Sequence, residues 1–134
     1  MNLLSLAALA GATALILFGI AVLKPLDRPL PGLWRLPAVV SAAFLVYSLW
    51  TVASEGPLGF WDNHVQNLWG LQVWLDLLIA VGIGFALLAR EARALGMTPA
   101  PWLVLTLCTG CIGLCAFAAR VLYLRERQAR MHPV

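Results

Sequence analysis

The stretch LWGLQVWLDLLIAVGIGFALLA, Leu68 to Ala89, decides the fold class. Only Gln72 and Asp76 interrupt its apolar run. As a helix it would be about 33 Å long, enough to cross a hydrocarbon core of about 30 Å. Hydrocarbon offers no water to the backbone, so a crossing segment must satisfy its own N–H and C=O groups as a helix. Three more runs have the same character. Leu3 to Leu23 and Pro37 to Ser54 carry no charge, and Pro101 to Leu124 carries only Arg120. Four such helices joined by short loops predict an all-α, integral membrane fold, a four-transmembrane-helix antiparallel bundle. The expected helices are about 3–23, 37–54, 68–89 and 101–124, in a single domain over residues 1–134.

Composition points the same way. The chain is 62% hydrophobic and 11% charged, against about 45–50% and about 25% in soluble domains. So few polar residues could not cover a water-soluble surface of this size. That excludes a soluble enzyme, a nucleic-acid binder and a disordered tail. The net charge of +3 comes mainly from arginines that flank the apolar runs. There they serve as orientation and headgroup charges rather than nucleic-acid contacts.

The segments between the runs fit helix ends. Lys24 to Gly32 holds three prolines and a glycine and cannot continue a helix. Glu55-Gly56-Pro57-Leu58-Gly59 is a turn cluster, and Asp62 is an expected N-cap leading into the third span. Gly96 is the expected stop after that span, with Pro99 and Pro101 beyond it. The first run has no basic region before it and is long for a signal peptide, so it reads as a retained helix.

Orientation follows from the basic residues, which prefer the cytoplasmic side. Lys24, Arg28 and Arg35 put the first loop inside, and Arg90 and Arg93 put the third loop inside. The expectation is a cell inner membrane protein with its N-terminus outside and loops 24–36 and 90–100 cytoplasmic. Glu55 and Asp62 then lie outside. The tail disagrees, because four spans leave Arg120, Arg125, Arg127 and Arg130 at the outer end. Three resolutions are open: a partner or lipid holds the tail, the chain inserts both ways, or one run, the shorter second by expectation, does not fully cross. Trp34, Trp50, Trp61, Trp69, Trp102 and Tyr123 fall near span ends, as an interfacial aromatic belt should.

Few residues could carry chemistry. Asp76 stands two turns inside the third run, where a carboxylate costs roughly 2.5–3.5 kcal/mol on insertion scales. Trp69, Gln72, Asp76 and Ala80 share one helical face, which is expected to point into the bundle. Asp76 would then be a proton, cation or ligand site, or a hydrogen-bonding link between helices. His64 and Asn67 sit just before this run. A single histidine there is an interfacial polar residue before it is a ligand. Cys108, Cys111 and Cys115 form CTGCIGLC in the fourth run. The Cys108–Cys111 spacing fits thiol redox chemistry, and quinone-linked membrane thiol oxidoreductases carry such a pair. The second, loop-borne pair of such a relay is lacking. On a continuous helix Cys108, Cys111, Cys115 and Ala119 would share a face of small residues, suited to close helix packing. Arg120 is expected to snorkel, and Glu91 with Arg93 to form a solvated pair at a helix end. No phosphate loop, zinc-protease motif or nucleophile elbow occurs, and no metal site or cofactor is indicated.

From about Tyr47 onward the chain resembles a family of small bacterial multi-pass membrane proteins of unassigned function. The resemblance is carried by Asp76-Leu77-Leu78-Ile79, by Glu91-Ala92-Arg93-Ala94-Leu95-Gly96-Met97 and by Leu122-Tyr123-Leu124-Arg125-Glu126-Arg127. It implies three spans, with the first helix an addition, and no activity. The functional expectation is an accessory or assembly subunit of a larger membrane complex. Its partners would be the lipid bilayer and other membrane subunits or a second copy, with a lipid, quinone or pigment as a possible guest between helices. The alternatives are a thiol oxidoreductase using Cys108 and Cys111, and a small dimeric transporter using Asp76.

Overall fold

The computed structural model describes residues 2–23 and 30–131; Lys24, Arg28 and His132 lie outside them. Among the described residues the chain is helical without strands. It divides into two compact units, residues 1–30 and 31–134.

The first unit is helix α1, Leu3–Val22. Asn2 caps it, its side-chain oxygen accepting from the Ser5 N–H at 2.8 Å. Its residues are apolar almost throughout, the composition of a helix able to cross a membrane.

The second unit holds α2 (Arg35–Glu55), α3 (Gly59–Val65), α4 (Leu68–Ala94), α5 (Ala100–Thr109) and α6 (Cys111–Met131). Among the described residues three helices, α1, α2 and α4, are long and apolar enough to cross a membrane. The second expected run, suspected of being too short, is thus a full helix of 21 residues. Asp62 does not cap the third span as expected. It lies within the short helix α3, and Asn67 caps α4 by accepting from the Gly70 N–H at 2.8 Å. The stop at Gly96 is where the sequence puts it. Gly96 has φ +74°, its N–H donates to the Arg93 carbonyl, and the Met97 N–H donates to the Ala92 carbonyl. These are the paired bonds of a Schellman cap, which needs a left-handed residue.

The fourth run departs from expectation. It is not one helix over 101–124 but two, broken at Gly110, whose φ of +59° and ψ of −125° suit glycine alone. Beyond the break the chain folds back. Gly113 lies against the backbone of Leu105 and Thr106, and the rings of Trp102 and Phe117 stack at 5.3 Å. Both pairings fit one antiparallel register, so α5 and the first half of α6 form a helical hairpin with Gly110 at its tip. With ten residues, α5 is about 15 Å long, half a bilayer core.

Side-chain contacts fix the direction of α6 against its neighbours. Against α2 it is antiparallel: the Ser41 hydroxyl donates to the Ile112 carbonyl, Trp34 meets Tyr123 edge to face at 5.5 Å, and the Gly32 N–H donates to a Glu126 carboxylate oxygen. Against α4 it runs the same way: Leu114 packs over Gly84, Phe117 lies by Phe85, and Arg125 reaches Glu91 at 3.8 Å. The start of α2, the end of α4 and the basic end of α6 therefore gather at one end of this unit. The α2–α3 turn and the start of α4 are at the other.

The core sits between α4, α5 and α6. Phe117 is fully buried with Ala92 and Val121, and Phe85, Leu88, Leu95, Met97 and Trp102 close around them. Small residues allow this closeness: Ala89, Ala92, Gly113 and Ala119 are all buried. The Glu91–Met97 and Leu122–Arg127 segments thus meet in space.

At the basic end, Glu126 ties α6 to the turn before α2. The Gly32 N–H and then Arg130 hold its carboxyl below the ordinary glutamate value. A carboxyl so shifted contributes its tie above the unfolded pKa and loses it as pH falls through the folded one. The amide proton of Gly32 should therefore titrate with an apparent pKa below the ordinary glutamate value. Glu126→Gln should abolish that titration in NMR spectra. Persistence of the titration in the variant would reject the assignment.

Candidate functional site

Helix α4 has two faces. Trp74, Leu77, Val81, Gly84, Phe85 and Leu88 are half-buried, and Ala89 and Ala92 are buried. This stripe meets α3 at its first half and α6 at its second. Trp69, Gln72, Asp76, Ala80 and Ile83 are all exposed. At 100° per residue, Asp76 lies roughly 120–180° around the helix from Leu88, Ala92 and Phe85.

The Asp76 face was expected to point into the bundle; it points away from the other helices of its unit. Its members do share one face, as the spacing predicts. Gln72 and Asp76 line a shallow cleft with Leu68, Leu71, Leu75 and Ile79, all from α4 itself. Neither Gln72 nor Asp76 makes a side-chain hydrogen bond or ion pair among the described residues. Trp69 is 76% exposed beside them. The packing explains the orientation: the small and aromatic residues of the other stripe are what α3 and α6 grip.

His64 is not brought to Asp76. It sits in α3 with its Nδ1 bonded to the Phe60 carbonyl, which obliges that nitrogen to carry the proton. Its ring lies 5.2 Å from Trp74, and Phe60 adds a second ring at 5.9 Å. Trp74 is two residues from Asp76 and about 200° around the helix. A Cβ on Gly70 would lie 2.7 Å from the Asn63 carbonyl oxygen, so a glycine there lets α3 fold against α4.

The cysteines are placed differently from expectation as well. The break at Gly110 separates Cys108 from the helix of Cys111 and Cys115, so the three do not lie on one continuous face. All three are free, Cys108 exposed and the others half-buried, near the hairpin tip. No cluster of three or more His, Cys, Asp or Glu fit for a metal occurs among the described residues. Arg120 is exposed, its guanidinium 5.7 Å from the Tyr123 ring centre, at the basic end. Glu91 does not pair with Arg93 but with Arg125 of α6.

The contacts that sequence reasoning missed are Ser41 with Ile112 and Gly32 with Glu126. Nothing in the periodicity marks them, because each joins residues more than 70 apart. Comparison with protein-family models, with curated proteins and with solved structures gives no match to this chain.

Proposed function

We propose that this protein is a non-catalytic subunit of a larger assembly in the cell inner membrane, joined to it through the Asp76 face of α4. The observation that carries this is the position of Asp76 and Gln72 on an exposed helix face, within a segment of crossing length, without a side-chain partner among the described residues of their own unit. A carboxylate facing hydrocarbon is costly, and intramembrane acids ordinarily face protein or a water-filled cavity. A second polypeptide, another subunit or another copy, supplies the missing donors. The described residues of the unit gather no group of three or more His, Cys, Asp or Glu fit for a metal, and the chain spends most of its length on apolar helices.

Native gels of the whole protein in mild detergent test this. Asp76→Leu should weaken the assembly by about 1–2 kcal/mol, which is up to roughly thirtyfold in association. Asp76→Asn, which keeps hydrogen-bonding capacity, should hold it together. A wild-type protein that migrates as a solitary monomer overturns the reading.

The hairpin also supports an orientation. Three spans, α1, α2 and α4, with α5 and α6 entering and leaving from one side, put the C-terminal end of α6 beside the end of α4. Arg35, Arg90, Arg93, Arg120, Arg125, Arg127 and Arg130 are then at one end of the unit, and Glu55 and Asp62 are at the other. The basic-residue rule makes the first end cytoplasmic. Lys24 and Arg28 orient α1 by the same rule, with its start outside. The conflict created by four spans disappears.

A further inference from the structure

We propose that the cleft between the turn before α2 and the basic half of α6 binds the phosphate of an anionic phospholipid. The proposal rests on reading this end of the unit as a membrane face. The cleft measures about 430 Å³ and is walled by Trp34, Arg35, Tyr123, Glu126, Arg127 and Arg130, with Pro31 and Gly32 at its edge. Three guanidiniums stand against one carboxylate. That carboxylate is already engaged, accepting from the Gly32 N–H at 2.9 Å and paired with Arg130. Arg35 and Arg127 are in no ion pair among the described residues. They present planar, forked donors that match phosphate oxygens.

The wall of the cleft selects a lipid over a free anion. Trp34 and Tyr123 meet edge to face, and the Arg35 guanidinium stands 5.7 Å from the Trp34 ring centre. Amphipathic rings with a basic rim belong at headgroup depth, where one side is apolar and the other wet. An inorganic phosphate has no use for the rings; a phosphodiester with its glycerol and first methylenes does. The cleft lies where α2 begins and where α6 turns from apolar to basic, the level at which a lipid phosphate would sit. Adjacent Arg120 adds to the local positive field.

Native mass spectrometry of the full chain, delipidated in mild detergent, tests this with three probes: phosphatidylglycerol, phosphatidylcholine and inorganic phosphate. Wild type should retain one phosphatidylglycerol in preference to phosphatidylcholine. Arg35→Gln with Arg127→Gln should weaken that binding roughly thirtyfold, from the usual strength of two basic side chains at an anionic surface. Arg90→Gln with Arg93→Gln removes the same charge from the same end, outside the cleft, and should change binding less than about threefold. Four results would overturn the proposal: equal loss in both double variants, no loss in the first, equal retention of phosphatidylcholine, or binding of inorganic phosphate alone. Binding in detergent is independent of sidedness and of the Asp76 assembly, so failure here is distinct from failure of either.

Discussion

Gly113→Leu should destabilise the α5–α6 hairpin by about 3 kcal/mol or more, while Gly82→Leu should leave stability within about 1 kcal/mol of wild type. Both glycines lie inside helices, and a sequence reader would treat them alike. Their surroundings differ. A Cβ at Gly113 would be 2.8 Å from the Leu105 carbonyl carbon and oxygen and 2.8 Å from the Thr106 Cα. All three atoms are backbone, so no rotamer change relieves the contact and the helices must separate. Separation would unstack Trp102 from Phe117 and open the only fully buried large side chain among the described residues. At Gly82 nothing lies within 4 Å of the added atom, and leucine is the better helix former. Thermal unfolding in detergent, followed by tryptophan emission, reads both. Equal behaviour of the two variants would mean that α5 and α6 do not lie against each other.

The apolar runs make the helices legible, because crossing hydrocarbon demands length and uniformity that chance rarely supplies. The stop at Gly96 is legible for a similarly local reason: a glycine directly after Leu95, with Pro99 and Pro101 just beyond, suits the end of a helix. The break at Gly110 was not. Thr109-Gly110-Cys111 lies within a run as apolar as the others, and glycine is common inside membrane helices. What turns it into a hinge is the long-range packing of Gly113, Trp102 and Phe117, which no window of sequence displays. The orientation of Asp76 failed for the complementary reason. Periodicity correctly grouped Trp69, Gln72, Asp76 and Ala80 on one face, but it cannot say which face a neighbour will take. Here the choice went to Trp74, Gly84 and Ala92, whose stripe joins aromatic bulk to small residues that let α6 come close.

One trace of the hairpin is nevertheless present in the sequence. Four spans divide the basic residues almost evenly, with Arg120, Arg125, Arg127 and Arg130 on the side that the rule leaves empty. That near-even split is a conflict with the basic-residue rule, and the proposed three-span arrangement, with the fold-back at Gly110, removes it. The expected result is therefore all-or-none. In a chain with Cys108, Cys111 and Cys115 replaced by alanine, single cysteines at Ser54, Thr98 and Gln128 should react with an impermeant maleimide in two groups. Thr98→Cys and Gln128→Cys should label together from the cytoplasmic side, because α5 leaves and α6 returns to the same end of the unit. Ser54→Cys, at the far end of α2, should label only from the opposite side. Each position stands close to or beyond a helix end, and Ser54, Thr98 and Gln128 are all exposed, so reagent access is set by the membrane and not by packing. If Gln128→Cys instead labelled with Ser54→Cys, the fourth run would cross the bilayer after all. The Trp102–Phe117 stack would then have to be broken, since a straight segment holds those rings about 22 Å apart along its axis.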